Sequence, residues 1–313
     1  ARAAIIGGCS STACTIAEQL FNVPAVGTMA HSWIQLFGNE YEAFKAWAKA
    51  YPNNCTFLVD TYNVLKSGVP NAIKVFDEVL KPQGIRPAAI RIDSGDITYL
   101  SKKCRKLLDE AGYSDCKILV SNSLDEYIIR DVLNQGAEID SFGVGERLIT
   151  AKSEPVFGGV YKLVAVEDNS GDIIPRIKIS ENEEKITNPG FKKVYRLFDK
   201  DSHAALVDLI ALSDEEINLN EDLEVFDPIH VWKRKTIKNY YARELLIQVF
   251  DKGNLVYNSP SVMDIRKFAL EESTKLWSET LRFENPHTYY VDLSDGLWNL
   301  KHNLLHRYSN IYK

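Results

Sequence analysis

The chain has 313 residues, which is long enough for two packed domains that each bury a hydrophobic core. Hydrophobic residues make up 45% and charged residues 26%, proportions that exclude a disordered or collagen-like chain. The 37 basic and 43 acidic residues leave a formal net charge of −6. This balance excludes a general nucleic-acid binder but allows a local phosphate site.

The five cysteines are odd in number and form no CxxC pair or Cys/His spacing suited to zinc. We therefore predict that the protein resides in the reducing cytoplasm and that its side chains hold no metal ion. No signal peptide is recognisable, and no apolar run approaches the roughly 20 residues that span a bilayer. We therefore expect a soluble protein without a membrane partner. The chain opens almost directly on the apolar run Ala3–Ile6, so we expect further sequence upstream of Ala1.

Strand and helix patterns alternate in the first half of the chain. The helical patterns are clearest at residues 33–51, 97–111 and 124–134, and the strand patterns are continuously apolar. Strands with both faces covered by helices form a parallel sheet. The predicted strands are Ala3–Ile6, Pro24–Val26, Thr56–Val59, Ala88–Ile92, Lys117–Val120 and Ile139–Phe142.

Polar, glycine-rich and ionisable residues follow each of these six strands, as GGCSST, GTMAHS, DTYN, DSGD, SNSLDE and GVGERL. Ligands of parallel α/β proteins bind at the carboxyl ends of the strands. Six strands do not complete an eight-stranded barrel, so the sequence predicts an incomplete or variant barrel over residues 1–152 that carries the active site.

The pattern changes after Lys152. Residues 161–166 and 173–179 flank the turn at Asn169–Gly171 as a predicted hairpin, and further strands are expected at 194–198, 205–210 and 245–250. Two helices should follow, one opened by Ser259 and Pro260 and one from about Leu297. Residues 153–313 are therefore predicted to form a β-rich second unit with terminal helices.

The turn after the fourth strand contains Asp93, Ser94, Gly95 and Asp96. Asp96 is a good N-cap for the following helix, which is the structural interpretation. Capping does not explain why Arg91 and Asp93 alternate at the end of a buried strand, where both side chains can face one ligand. A functional role and a structural role are equally supported here.

Four other turns have similar alternatives. Ser123 and Glu126 fit a capping box, which leaves Asn122 free to bind a ligand. The turn of Gly143, Gly145 and Glu146 is either an ordinary tight turn or a phosphate cradle. In the other two loops, His31 is either a structural histidine or a catalytic one on the loop face that it shares with the other polar turns, and Asp60 and Asn63 are either cation or sugar ligands or parts of Asx turns. The basic run from Lys233 to Lys238 is interpreted as a solvated strand face.

Eight segments resemble, in chain order, those of the nicotinate phosphoribosyltransferase family: GTMAHSW, DTYN, RIDSGD, SNSLDE, SFGVGERL, GGVYKL, KISENEEKITNPG and NPHTYYVDLS. The resemblance implies a type II phosphoribosyltransferase fold, an irregular α/β barrel with a second domain made from both chain termini. The family's N-terminal segment has no counterpart in this sequence.

The implied reaction joins nicotinate to phosphoribosyl pyrophosphate with coupled ATP hydrolysis, for NAD biosynthesis, in a cytoplasmic homodimer. By similarity, His31 is the residue phosphorylated from ATP, Arg91 holds the nicotinate carboxylate, and Asp93 and Asn122 face the ribose. Magnesium is expected on the pyrophosphate, held by substrate oxygens and water. The other implied substrate-binding residues are Ser10, Ser11, Thr28, Asp60, Asn63, Ser94, Gly95, Asp96, Ser121, Gly143, Gly145 and Glu146.

Two other classes remain open from the sequence. One is a different enzyme on a similar barrel, such as a nicotinamide or quinolinate phosphoribosyltransferase; an aldolase would need a strand-end lysine that the six turns lack. The other is a non-catalytic fragment that needs a partner chain.

Overall fold

The computed structural model describes residues 1–156, 158–182, 185–218 and 220–311, so Glu183 and Glu184 of the KISENEEKITNPG segment lie outside the described residues. The chain divides into two compact units. Residues 26–158 form one, which we call the parallel-sheet unit, and residues 1–25 with 159–313 form the other, the split unit. Within the described ranges, no helix is both long and apolar enough to cross a membrane.

The parallel-sheet unit contains four strands in the order β1-β2-β3-β4, all parallel. The strands are β1 Thr56–Leu58, β2 Ala89–Ile92, β3 Lys117–Ser121 and β4 Ser141–Gly143. The α-helices are α3 His31–Phe37, α4 Glu40–Ala50, α5 Val69–Val75, α6 Ile97–Glu110, α7 Glu126–Asn134 and α8 Glu146–Ile149. Short 3-10 helices cover Pro52–Asn54 and Lys81–Gln83, and π-helical turns cover Val64–Gly68 and Phe76–Leu80.

The core of this unit contains a column of aromatic rings. Phe57 of β1 stacks between Phe44 and Phe76 at centroid distances of 4.5 and 5.2 Å, and Tyr113 extends the column at 5.2 Å from Phe76. Phe44, Phe57 and Phe76 are fully buried. Burial on both faces of β1 explains its continuously apolar sequence and fixes the strand from which the DTYN turn projects.

The split unit joins the N-terminal segment to the second half of the chain. Its helices are α1 Arg2–Ile6, α2 Thr15–Phe21, α9 Val262–Ser273 and α10 Asp295–Ile311. Its four-stranded sheet has the order β11-β7-β8-β14, and three two-stranded sheets pair β5 with β6, β9 with β10 and β12 with β13. The strands are β5 Ala165–Glu167, β6 Ile173–Pro175, β7 Lys192–Asp199, β8 Ala205–Leu212, β9 Leu223–Phe226, β10 Arg234–Ile237, β11 Tyr240–Glu244, β12 Phe250–Asp251, β13 Asn254–Leu255 and β14 Val291–Leu293.

The N-terminal segment is attached through Arg266 of α9. Its guanidinium donates to the backbone carbonyls of Gly8, at 3.0 Å, and of Cys9. Ile5 and Val262 lie in one small buried cluster that includes Ala17 and Val23. These contacts explain why residues 1–25 group with α9, whereas the predicted first domain began at residue 1.

Two strand predictions in this segment are wrong. Residues 3–6 are helical, because a short apolar run with two alanines suits a helix as well as a strand. Residues 24–26 contain only an isolated parallel bridge from Ala25 to Thr12. A third expected strand, at 245–250, is displaced: the chain is extended at Tyr240–Glu244 and again only from Phe250.

The remaining strand predictions between residues 56 and 210 match observed strands, with ends shifted by a few residues. The predicted helix over 33–51 is two helices, because Gly38 has a left-handed φ of 73° and Asn39 caps α4 through Glu42 N. The structure is thus a mixed α/β fold with a parallel sheet and a β-rich region, while the barrel stays a prediction.

Candidate active site

Four polar side chains meet at the carboxyl edge of the parallel sheet. Asp60 follows β1, Arg91 and Asp93 lie at the end of β2, and Ser121 is the last residue of β3. The strands are neighbours in parallel register, with Arg91 paired to Leu119, so their carboxyl ends share one edge. The sequence prediction that this edge gathers polar and ionisable residues is confirmed for these four.

Arg91 is held by three hydrogen bonds of 2.8 Å. Its Nε donates to Ser121 Oγ, Nη1 to Thr28 Oγ1, and Nη2 to Asp93 Oδ1. A guanidinium has five N–H donors, so one N–H remains on each of Nη1 and Nη2. With its side chain 24% exposed, Arg91 is an oriented cation that can still donate two hydrogen bonds to a planar anion.

Asp93 is the carboxylate that pairs with Arg91. Burial disfavours its charge, but hydrogen bonds from Ser121 and Arg91, with the positive field of Arg91, outweigh burial and lower the pKa of Asp93 below its usual value. Its Oδ1 accepts from both Ser121 and Arg91. Its Oδ2 lies 3.7 Å from His31 Nε2 and is the oxygen directed at the histidine.

Asp60 has one oxygen paired and one free of hydrogen bonds. Its Oδ2 accepts from Asp93 N at 2.9 Å and from Ser94 Oγ at 2.6 Å. Its Oδ1 is buried and has no hydrogen-bond partner among the described residues. Oδ1 lies 4.0 Å from His31 Nε2, on a side chain that is only 1% exposed. A buried carboxylate oxygen without a donor is a strong acceptor for an approaching ligand group.

His31 is the first residue of α3 and is 39% exposed. Its Nδ1 lies 3.0 Å from Thr61 Oγ1, so the hydroxyl fixes the ring and directs Nε2 at Asp60 and Asp93. The sequence prediction did not include Thr61. Its only sequence signal is its place inside the DTYN turn, beside Asp60.

Two of the predicted binding residues have structural roles in the described chain. Asp96 caps α6 by accepting from Tyr99 N at 2.9 Å, and Asn63 caps the π-helical turn by accepting from Lys66 N at 2.8 Å. Gly95 has a φ of 85°, and a side chain there would meet Leu100. The structural alternatives given for Asp96 and Asn63 are therefore present in the structure.

The turn after β3 differs from the predicted capping box. Ser123 has a left-handed φ of 51°, whereas an N-cap is extended, and Asp125 caps α7 instead by accepting from Ile128 N at 3.0 Å. The capping role predicted for Ser123 is wrong. Asn122, also left-handed with φ 85°, is exposed after Ser121 and is not needed for the cap.

The Gly143–Glu146 turn lies at the end of β4. Gly143 pairs with Ser121, and a Cβ on Gly143 would lie 3.1 Å from Ser121 Cβ. The glycine thus allows β4 to approach β3 beside Arg91's hydrogen-bond partner. Gly145 precedes the four-residue helix α8, and an ion pair between Arg147 and Asp125 attaches α8 to the start of α7.

Ser10 and Ser11 lie in the split unit, between α1 and α2, where Ser10 is exposed. The structure therefore brings together His31, Asp60, Arg91, Asp93, Ser94 and Ser121 with Thr28 and Thr61, all within the parallel-sheet unit. In the described part of the chain, no group of three or more His, Cys, Asp or Glu residues is placed to hold a metal ion.

Comparison with solved structures gives the class of protein. The structure resembles the crystal structure of human nicotinic acid phosphoribosyltransferase with a TM-score of 0.75 and 25% identity, over 97% of this chain and 66% of that one. It also shares a fold with nicotinate-nucleotide pyrophosphorylase from Pyrococcus furiosus, with a TM-score of 0.59 over 88% of this chain and 61% of that one, at 24% identity. The fold is therefore of the phosphoribosyltransferase class.

Sequence comparison gives the family. Residues 191–301 match the model of the nicotinate phosphoribosyltransferase C-terminal domain. The nicotinate phosphoribosyltransferase of Bacillus subtilis is 46% identical over 306 residues, which cover 98% of this chain and 62% of that protein. The resemblance seen in the sequence is confirmed: this chain is a relative of the nicotinate phosphoribosyltransferases, and it spans about three fifths of the length of the curated relatives it matches.

Proposed function

We propose that this chain transfers phosphoribose from phosphoribosyl pyrophosphate to nicotinate, forming nicotinate mononucleotide and pyrophosphate with coupled ATP hydrolysis, in NAD biosynthesis. The observation that carries the proposal is Arg91, a guanidinium at the carboxyl edge of the parallel sheet with two N–H groups left for a planar anion. The similarity to nicotinate phosphoribosyltransferases over nearly the whole chain supports the same reaction.

In this proposal Arg91 binds the carboxylate of nicotinate, and Thr28 and Ser121 orient the guanidinium. Asp93 and Asn122 face the ribose hydroxyls, and the turn of Gly143 and Gly145 receives the 5′-phosphate. Ser11, Ser94, Gly95, Asp96 and Glu146 remain proposed substrate contacts by family resemblance.

The chemistry requires positioning more than covalent catalysis. Loss of pyrophosphate from the sugar passes through an oxocarbenium-like state, so the site must hold the pyridine nitrogen in line with the anomeric carbon. Fixed donors and charges that match the transition state lower the barrier because they need no reorganisation during reaction. The three hydrogen bonds on Arg91 support such a role, since they restrict the guanidinium before any ligand binds.

We propose His31 as the group phosphorylated by ATP. Its imidazole is partly exposed, and a neutral imidazole nitrogen is a nucleophile toward a phosphoryl group. The phosphorylated form adds negative charge beside the strand ends and changes the binding of anionic substrates there.

Magnesium would be held mainly by the pyrophosphate and by water. Oxygen donors suit this ion, and the unpartnered Asp60 Oδ1 is an acceptor for a metal-bound water. When bound, the ion would neutralise charge on the pyrophosphate.

We further propose that the parallel sheet is part of the irregular barrel of type II phosphoribosyltransferases, and that the protein acts in the cytoplasm as a homodimer. The similarity in fold to human nicotinic acid phosphoribosyltransferase supports the barrel. By family resemblance, Ser10 occupies the place where nicotinamide enzymes carry an aspartate, which favours an acid over an amide.

The test compares nicotinate and nicotinamide as substrates of the purified protein at the length its gene encodes. We expect kcat/KM to favour nicotinate by at least about two orders of magnitude, because a neutral amide cannot form an ion pair with Arg91. Nicotinate mononucleotide and pyrophosphate should form in equal amounts. Ser10→Asp should reduce the ratio of kcat/KM for nicotinate to kcat/KM for nicotinamide. Equal use of both substrates by the unmodified enzyme would remove the basis of the proposal.

A further inference from the structure

Two adjoining cavities lie within the split unit, with volumes of about 430 and 800 Å³. Both are lined by Asp227, Lys233, Tyr290 and Asp292. The cavities lie between two segments that have no role in the proposed reaction. These are the basic run beginning at Lys233 and the NPHTYYVDLS segment, residues 285–294. Cavities of this size fit a small organic ligand.

Asp292 is the most unusual group in this place. It is the central residue of β14, is only 6% exposed, and faces both cavities. Its carboxyl group has no hydrogen-bond or ion-pair partner among the described residues. Burial, with the charge of Asp227 nearby, raises the pKa of Asp292 to about 6. A buried carboxyl ordinarily has a partner, so a ligand N–H would complete its hydrogen bonding.

Asp227 differs from Asp292 because the backbone N–H groups of Ile229 and His230 already donate to it, at 2.9 and 2.8 Å. These hydrogen bonds lower the pKa of Asp227 and keep it ionised. Asp227 is therefore committed to its own turn, and Asp292 is the acceptor that a ligand can reach.

The rim of the cavities is cationic. Lys233 lines both cavities and Lys235 lines the first, and neither forms an ion pair with a described residue, whereas Arg234 between them pairs with Glu224. Arg282, which pairs with Glu279, also lines the second cavity. Unpaired lysines beside a concave surface are suited to a phosphate group.

Aromatic side chains form part of the apolar walls. Trp277 and Tyr290 line the first cavity, with ring centroids 5.7 Å apart at 72°, and His287 packs edge-on against Tyr290 at 5.7 Å in the second. Rings of this kind bind flat heterocycles by stacking or edge contacts. The cavities thus combine a hydrogen-bond acceptor, aromatic walls and cations.

We propose that these cavities bind a purine nucleotide, separately from the candidate active site of the parallel-sheet unit. The N–H groups of the base donate to Asp292, the ring packs against Trp277 and Tyr290, and the phosphate pairs with Lys233. A purine mononucleotide is a ligand class that supplies all three complementary groups in one molecule. The site does not depend on the proposed transferase reaction.

The test is calorimetric titration of the full-length protein with AMP and with GMP. At least one should bind with a dissociation constant below about 1 mM, and ribose 5-phosphate and the free nucleosides should each bind at least about tenfold more weakly. Two variants locate the binding. Asp292→Leu removes the acceptor at similar volume, and Lys233→Ala removes the cation; each should weaken binding by about tenfold or more.

Two control variants should leave the affinity unchanged. Lys238→Ala removes a lysine of the same basic run that pairs with Asp222 and lines neither cavity. Arg91→Ala disables the candidate active site. Asp292→Leu should fold at least as stably as the unmodified protein, because an unpaired buried carboxyl is replaced by an apolar group. Should it not fold, Lys233→Ala decides alone.

Three results would overturn the proposal. The first is binding of neither nucleotide below about 1 mM. The second is binding that persists in Lys233→Ala and in any folded Asp292→Leu protein. The third is binding lost in Arg91→Ala, which would assign the nucleotide to the candidate active site.

Discussion

Arg91 donates from Nη2 to Asp93 Oδ1 at 2.8 Å, although the two residues are only two positions apart at the end of one strand. Alternate residues of a strand point to the same face, so the pair forms without any change of chain direction. The pairing keeps Asp93 ionised and orients the guanidinium. A strand end with this pair presents a cation and an anion to the same ligand.

Removal of the Arg91 guanidinium should reduce nicotinate turnover selectively. We expect Arg91→Ala to cost about 2 to 4 kcal/mol of transition-state stabilisation, measured from kcat/KM, because the substrate carboxylate loses its charged partner. Nicotinamide turnover should change much less. Arg86→Ala is the matched control, since Arg86 pairs with Asp115 on the amino-terminal side of β2 and β3, opposite the carboxyl edge that carries the candidate site. An equal loss for both substrates would argue against carboxylate binding by Arg91.

His31 should become phosphorylated when the protein is incubated with γ-labelled ATP. A phosphohistidine is acid-labile and base-stable, which distinguishes it from phosphoserine, and His31→Ala should abolish the label. His306→Ala, an exposed histidine of α10, should retain it. A label that persists without His31 would exclude this residue from the mechanism.

Thr61 should act as a positioning residue for the phosphorylation of His31. Thr61→Val removes the hydroxyl 3.0 Å from His31 Nδ1, and we expect the rate of phosphorylation to fall about three- to tenfold, the value of one hydrogen bond. Thr61→Ser keeps the hydroxyl and should restore the rate. If valine and serine behave alike at this position, the hydroxyl does not orient the ring.

The sequence was sufficient to locate the candidate site but not its internal contacts. Apolar strands followed by polar turns predicted that Asp60, Arg91 and Asp93 share one sheet edge, because that pattern follows from the topology of parallel strands. Thr61 was missed because only the fold shows which hydroxyl of a polar turn meets His31. The partial pairing of Asp60 likewise depends on three-dimensional contacts.

The errors in the fold have local causes. Residues 3–6 were predicted as a strand, since four apolar residues carry too short a period to distinguish a strand from a helix. Their helical state reflects packing against α9, some 260 positions later in the chain. The sequence also could not predict that the Asp292 carboxyl group is buried. This burial arises because β14 lies beside β8 in the sheet.

Glu272 should make the stability of the split unit sensitive to acid. Hydrogen bonding to Arg243, assisted by Lys275, outweighs burial and lowers the pKa of Glu272 to about 2. A carboxyl with a lower pKa in the folded state stabilises the fold above its unfolded pKa of 4.5, and this contribution is lost as pH falls towards about 2. We expect a loss of about 2 kcal/mol across this range.

Urea unfolding at several pH values would measure this effect. Glu272→Gln should be less stable than the unmodified protein near pH 7 and should approach it near pH 2. Glu271→Gln is the control, because Glu271 is a neighbouring glutamate with a side chain that is 59% exposed. A constant difference between Glu272→Gln and the unmodified protein at all pH values would contradict the predicted linkage.

Gly68 should be intolerant of any side chain. A Cβ at this position would lie 1.9 Å from the carbonyl oxygen of Val59 and 2.7 Å from its carbon, both backbone atoms that cannot rotate away. Gly68→Ala must therefore push the π-helical turn away from the end of β1, and we expect a loss of about 3 kcal/mol in the free energy of unfolding. Asp60 directly follows Val59, so the Asp60 carboxylate should also move relative to His31, and phosphorylation should slow in the protein that still folds.

Gly158→Ala is the matched control, because a Cβ there meets no atom within 4 Å and the glycine does not have a positive φ. Chemical unfolding of both variants measures the difference in their free energies of unfolding. Equal free energies would contradict the prediction, because they would show that the backbone at Val59 moves to accommodate the Cβ without loss of stability.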